Sequence, residues 1–210
     1  MTPVFSSAPS ALRQYWAALR ALLVLTIVLG LAYPLAVTGV AQLVAHGQAN
    51  GSTVTSAGTS AGQTVGSSLI GQSFADDKGD PLPQWFQSRP SAAGTGYDPT
   101  LSGASNLGPE SPVLIKAIND RRAAIAAFDG VDPASVPPDA LTSSGSGLDP
   151  DISPAYAYEQ VTRVAAARKL PADRIRQLVA DHVQGRALGF LGEPTVDVLQ
   201  LNLALEALSG

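Results

Sequence analysis

The chain has 210 residues, enough for one domain and an appendage but short for a multidomain enzyme. Only 14% of its residues are charged and its mean hydropathy is +0.15, so part of its apolar surface must be hidden by a membrane as well as by a core. A net charge of −4 argues against a phosphate-backbone surface, so no nucleic-acid partner is expected, and the lack of cysteine excludes disulfides, thiolate metal sites and a cysteine nucleophile.

Residues 21–45 contain no charged side chain. As a helix they rise about 37 Å, enough to cross a hydrocarbon core of about 30 Å with some tilt. Pro34 falls near the middle and predicts a kink near Leu31. A cleaved signal peptide is the competing reading, but its apolar region is shorter and the site at 45–47 is a poor one. Arg13 and Arg20 precede the span and no Lys or Arg follows until Lys78, which places residues 1–20 in the cytoplasm and everything after residue 45 outside. Tyr15 and Trp16 suit the inner interface. Small residues Gly30, Ala32, Ala36 and Gly39 offer faces where another membrane helix can approach closely.

Residues 46–64 are rich in Gly, Ser, Thr and Ala and read as a polar linker or a floppy hairpin. The exported domain, residues 65–210, reads as α+β, with a small, mostly antiparallel sheet and about three helices. Strands are expected over 65–74, 84–88 and 195–201. Ser111-Pro112 opens a helix that places Leu114, Ile118, Ile125 and Phe128 on one face before Gly130 stops it. Ser153-Pro154 opens another to about Lys169, with Tyr158, Val161 and Ala165 inward, and a third carries Ile175, Leu178, Val179, His182 and Val183 at amphipathic spacing. The long connections 90–110 and 130–152 are expected to be ordered loops presenting a surface.

Catalytic chemistry finds little purchase. His46 lies in the linker, and His182 sits on an apolar stripe without a companion His or Cys, so neither a triad nor a zinc site is expected. Asp149 and Asp151 could act as an acid–base pair or hold Ca²⁺, but acids before a helix also satisfy turn amides and complement its dipole. Arg89 reads as a structural ion-pair partner more readily than as an anion site. The Gly-rich loops lack the ending of a P-loop. Candidate docking residues on them are Ser102, Ser105, Asn106, Gly108, Ser146, Gly147 and Asp149.

A set of strings in fixed order carries a resemblance: QANGS (48–52), VGSSLIGQSF (65–74), WFQSRPSA (85–92), SGASNLGPESP (102–112), SGSGLDPDISP (144–154), RVAAARKL (163–170) and LGEPTVDVLQLNLAL (191–205). With the span before them, they resemble the C subunit of the bacterial Kdp potassium-transporting ATPase over nearly the whole chain. The resemblance implies a non-catalytic subunit of an ATP-driven K⁺ uptake complex, partnered by a channel-like K⁺ subunit, a P-type ATPase subunit and membrane lipid. It also implies a catalytic chaperone that raises the ATP affinity of the ATPase subunit through a transient complex with nucleotide. The chain itself is expected to hold no cofactor. ATP is cytoplasmic and the loops are expected outside, so such an effect would be transmitted through the membrane helix. The alternative is a membrane-anchored extracellular ligand-binding module.

Overall fold

The computed structural model describes residues 8–56 and 62–208; residues 57–61, within the expected linker, lie outside the described residues. The chain divides into two units, Met1–Ser52 and Thr53–Gly210.

In the first unit, α1 (Ala8–Ile27) continues through a π-helical turn (Val28–Ala32) into α2 (Tyr33–Val44), and the short α3 (His46–Ala49) follows. The stretch Leu12–Val44 is long and apolar enough to cross a membrane, and none of its described side chains is buried. Where a kink is expected, the helix instead widens: the Tyr33 N–H donates to Val28 O, five residues back. Pro34 explains it, since its ring has no N–H and would crowd the carbonyl of Gly30 in a regular α-turn. Ala32, Ala36 and Gly39 follow i, i+4, i+7 spacing and share a face, whereas Gly30 is turned away from them. A side chain at Gly39 would meet nothing within 4 Å, and one at Gly30 only Thr26 Cγ2 at 3.8 Å. His46 opens α3, and Asn50 closes it by donating from Nδ2 to His46 O at 2.6 Å.

In the second unit, β1 (Thr53–Thr55) pairs antiparallel with β2 (Thr64–Ser67), the register shifting between Val54 and Thr55. Part of the polar stretch is therefore a hairpin strand. The strand expected over 65–74 ends at Ser67, because the chain turns and the Gly71 N–H goes to Leu148 O, 2.8 Å away, not to a sheet partner. Next come α4 (Pro112–Asp129), α5 (Pro138–Leu141), β3 (Asp151–Ile152), α6 (Pro154–Glu159), α7 (Val161–Arg168), α8 (Ala172–His182), β4 (Val196–Asp197) and α9 (Val198–Leu208).

The helix starts and stops fall where the punctuation places them, although the Ser111 side chain makes no cap hydrogen bond to α4. Pro112 sits at the start of α4 and Gly130 ends it at φ +70, a left-handed conformation that costs glycine least. Ser153 Oγ accepts from the Tyr156 N–H at 3.1 Å and so caps α6. The single helix expected from 153 to 169 is divided at Gln160, which closes α6 and opens α7, and Lys169 ends α7 at φ +56. Val161, Val164, Ile175, Val179, Leu201 and Leu205 are fully buried with Phe86 in one core joining α7, α8 and α9. Each such side chain contributes about 1.5–3 kcal/mol by leaving water.

Two expected strands differ. In 195–201 only Val196 and Asp197 are strand, in register with Ile152 and Asp151 of β3. Asp197 then caps α9: its Oδ1 accepts from the Gln200 N–H and its Oδ2 from Gln200 Nε2, both at 2.9 Å. The stretch 84–88 is not a strand. Instead, carbonyls from Pro83 to Gln87 accept from helix side chains: Arg163 to Pro83 and Trp85, Arg168 to Gln84, Asn202 to Phe86 and Gln160 to Gln87. Satisfying buried backbone in this way replaces a sheet ladder.

Candidate functional site

The two long connections meet at their roots. Arg89 Nη1 bonds Asp149 Oδ2 at 2.8 Å, with both side chains roughly three-quarters covered, and its Nη2 reaches Thr142 O at 3.3 Å. Ser91 is a hub: its Oγ donates to Gly147 O at 2.6 Å and accepts from the N–H groups of Tyr97 (2.9 Å) and Ala93 (3.1 Å). Tyr97 lies across the junction and donates its hydroxyl to Arg89 O at 2.9 Å. Burial is the main cause that pushes its phenol up to about 12, so it stays a donor.

The candidate docking residues fall into two groups. Ser102, Ser146, Gly147 and Asp149 join the loops. Ser102 Oγ and the Gly103 N–H both donate to Ser146 O, at 3.0 and 2.8 Å, and Ser146 Oγ accepts from the Leu148 N–H. Asp149 Oδ1 accepts from the Asp151 N–H at 3.1 Å, besides its pairing with Arg89. Ser105, Asn106 and Gly108 instead lie on an exposed stretch, where Asn106 adopts φ +52. Leu101 precedes it and Leu107 lies within it, both exposed. The result is a polar tip held on a fixed base.

Three N–H groups that could cradle a phosphate, those of Gly103, Gly147 and Leu148, already donate within the protein. Burial raises the carboxyl pKa of Asp151 and Asp197, and for Asp151 the charges of Asp197 and Asp149 add to it. Among the described residues, no group of three or more His, Cys, Asp or Glu is placed to hold a metal ion. His182 rests at the edge of α8, with Nδ1 donating to Leu178 O at 2.8 Å. Sequence reasoning missed Ser91 and Tyr97, which organise the base. Ser91-x-x-x-x-x-Tyr97 carries no recognised turn signal, although Gly94 and Gly96 beside it, both at positive φ, mark the tight path.

Gly147 gives a direct test of this base. It sits at φ +69, and an added Cβ would fall 2.8 Å from both Ala93 N and Gly103 O. Gly147→Ala is expected to cost about 2–4 kcal/mol, combining left-handed strain with overpacking. Hydrogen exchange of the Gly103 and Leu148 amides should accelerate together in the variant; unchanged exchange would show that the loops are not joined here.

A family model described as K⁺-transporting ATPase, c chain (KdpC), matches residues 15–207. The potassium-transporting ATPase KdpC subunit of Kineococcus radiotolerans is 61% identical over 199 residues, covering 93% of this chain and 94% of that one. The KdpC subunit of Streptomyces coelicolor is 48% identical, covering 95% of each chain, and that of Beijerinckia indica 47% identical, covering 89% of each.

Proposed function

The chain belongs to the KdpC family, the c chain of K⁺-transporting ATPases, and on that premise we propose that it is a non-catalytic, single-pass subunit whose span packs against the transport subunits. Its folded domain lies on the outer side of the membrane and presents the 102–108 loop to them. The partners are a channel-like K⁺ subunit and a P-type ATPase subunit, and the lipid bilayer surrounds the span. ATP is bound by the ATPase subunit, and any change in its affinity is transmitted through the span.

The observation that carries this reading is the 33-residue apolar stretch with none of its described side chains buried. Lipid can cover most of it, but Ala32, Ala36 and Gly39 form a smooth face suited to close helix contact. Orientation rests on Arg13 and Arg20 before the span and the next cation at Lys78.

The chain has no cysteine, so single cysteines at Ser10 and Ala180 can be labelled cleanly. A membrane-impermeant reagent on intact, outer-layer-permeabilised cells should label the second and spare the first; the reverse pattern would overturn the orientation. Ala36→Leu and Gly39→Leu should leave insertion intact and lower recovery of the co-purified complex about tenfold, since leucine suits lipid but blocks close backbone approach. Normal assembly with a polyleucine span would reduce the helix to a tether.

A further inference from the structure

Between α8 and β4 the chain projects a narrow ribbon. Gln184 and Thr195 exchange backbone hydrogen bonds at its root (2.8 and 3.0 Å), and Ala187 and Leu191 do so near its tip, both at 2.9 Å. An ion pair at 2.6 Å between Arg186 Nη2 and Glu193 Oε2 braces its sides. Leu188, Phe190 and Leu191 are 83%, 69% and 50% exposed at the tip. Leu188 also adopts φ +54, beside Gly189 at φ +82, a conformation unfavourable for leucine. Water thus meets a cluster of large apolar side chains, one of them in a strained backbone position. The exposure cost is offset when the tip is covered.

We propose that this tip seats in an apolar pocket on the extramembrane face of the neighbouring transport subunits, with Phe190 as the anchor. The inference rests on the subunit reading above and gives it a contact residue by residue. Charge separates a protein pocket from the bilayer surface. Beyond the span the chain carries 11 cationic against 17 anionic side chains, and Arg186, the cation nearest the tip in sequence, is already paired. Adsorption to an anionic bilayer uses clustered unpaired cations. A braced tip loses little freedom on docking, which favours a shaped pocket.

The test uses the whole chain and transport subunits purified without it, reconstituted in lipid nanodiscs. Phe190→Ser should weaken re-association at least about thirtyfold, as removal of an anchoring aromatic does. Leu188→Asn should weaken it less, because asparagine accepts positive φ while losing the apolar contact. Both variants lie on an exposed loop, so their thermal unfolding should match the parent. In parallel, a polarity-sensitive dye on Leu188→Cys should shift to the blue only when the transport subunits are present. An equal shift with lipid alone would assign the tip to the bilayer, and a shift rising with chain concentration alone would assign it to a second copy; either result, or no shift at all, overturns the proposal. If the parent chain joins the subunits and Phe190→Ser joins equally well, the ribbon proposal fails while the subunit reading stands. If the parent does not join them, both fail.

Discussion

Arg163→Met is expected to destabilise the folded domain by about 3–5 kcal/mol, the cost of breaking a buried ion pair from one side. Arg163 and Asp129 keep only 6% and 1% of their side chains exposed, and Arg163 Nε lies 2.5 Å from Asp129 Oδ1. The same guanidinium donates to Pro83 O, Trp85 O and Gln160 Oε1 at 2.6, 2.9 and 2.7 Å, and stacks over Phe128 at 4.4 Å from the ring centroid. Methionine fills much of the volume but leaves a buried carboxylate and two carbonyls without their donor. Denaturant unfolding of the whole chain in detergent should report the loss, and melting should fall by about 10 °C. Lysine should not rescue it, because one ammonium cannot reproduce the planar fork. The pair Arg163→Met with Asp129→Leu should recover part of the stability by removing the stranded charge. A loss below about 1 kcal/mol in the single variant would mean that water reaches the site and that the 83–87 segment is held by other means.

The same side chains explain what could be read from the sequence. The span, the Ser111-Pro112 and Ser153-Pro154 helix starts and the Gly130 stop were legible because each depends on residues within a few positions of one another. The stripe on α8 was legible for the same reason, with Ile175 and Val179 buried as the spacing requires. Segment 84–88 was not. Its apolar bulk reads as a strand, and Phe86 is indeed fully buried, but its backbone partners are Gln160 and Asn202, 73 and 116 residues distant for Gln87 and Phe86. No local pattern encodes a pairing made by side-chain amides. The start of α9 was in principle readable: Asp197-x-x-Gln200 before an apolar run is a capping-box pattern, and it competes with the strand alternation of 195–198. At the candidate site, Arg89 as an ion-pair residue was legible, and it pairs with Asp149. The ribbon tip was not, because ALGFLG reads equally well as buried or exposed until the fold turns it outward.

Asn202→Leu should cost about 3–5 kcal/mol, although it places a similar-sized apolar side chain in an apolar core. Asn202 is 1% exposed, its Oδ1 accepts from the Phe86 N–H and its Nδ2 donates to Phe86 O, both at 2.9 Å. Leucine leaves a buried donor and a buried acceptor unpaired, at about 1–3 kcal/mol each, and burial of its own apolar carbons offsets only part of that. Asn202→Asp separates the two bonds. The carboxylate still accepts from the Phe86 N–H but turns an oxygen toward the Phe86 carbonyl, which repels it, and the charge itself is buried. Protonation restores a donor for that carbonyl and removes the charge, so the folded state holds the proton more tightly than the unfolded state, whose carboxyl titrates near about 3.9. Because the folded pKa is raised, stability relative to Asn202 is lost as pH rises from the unfolded toward the folded value and regained on acidification. Unfolding midpoints of the whole chain, compared with the parent at about pH 5 and about pH 8, should therefore differ more at the higher pH for aspartate and equally at both for leucine. A pH-independent deficit in Asn202→Asp would mean that water enters beside Phe86 and keeps the carboxylate solvated, and the side-chain amide would then not be what holds the 83–87 segment against the core.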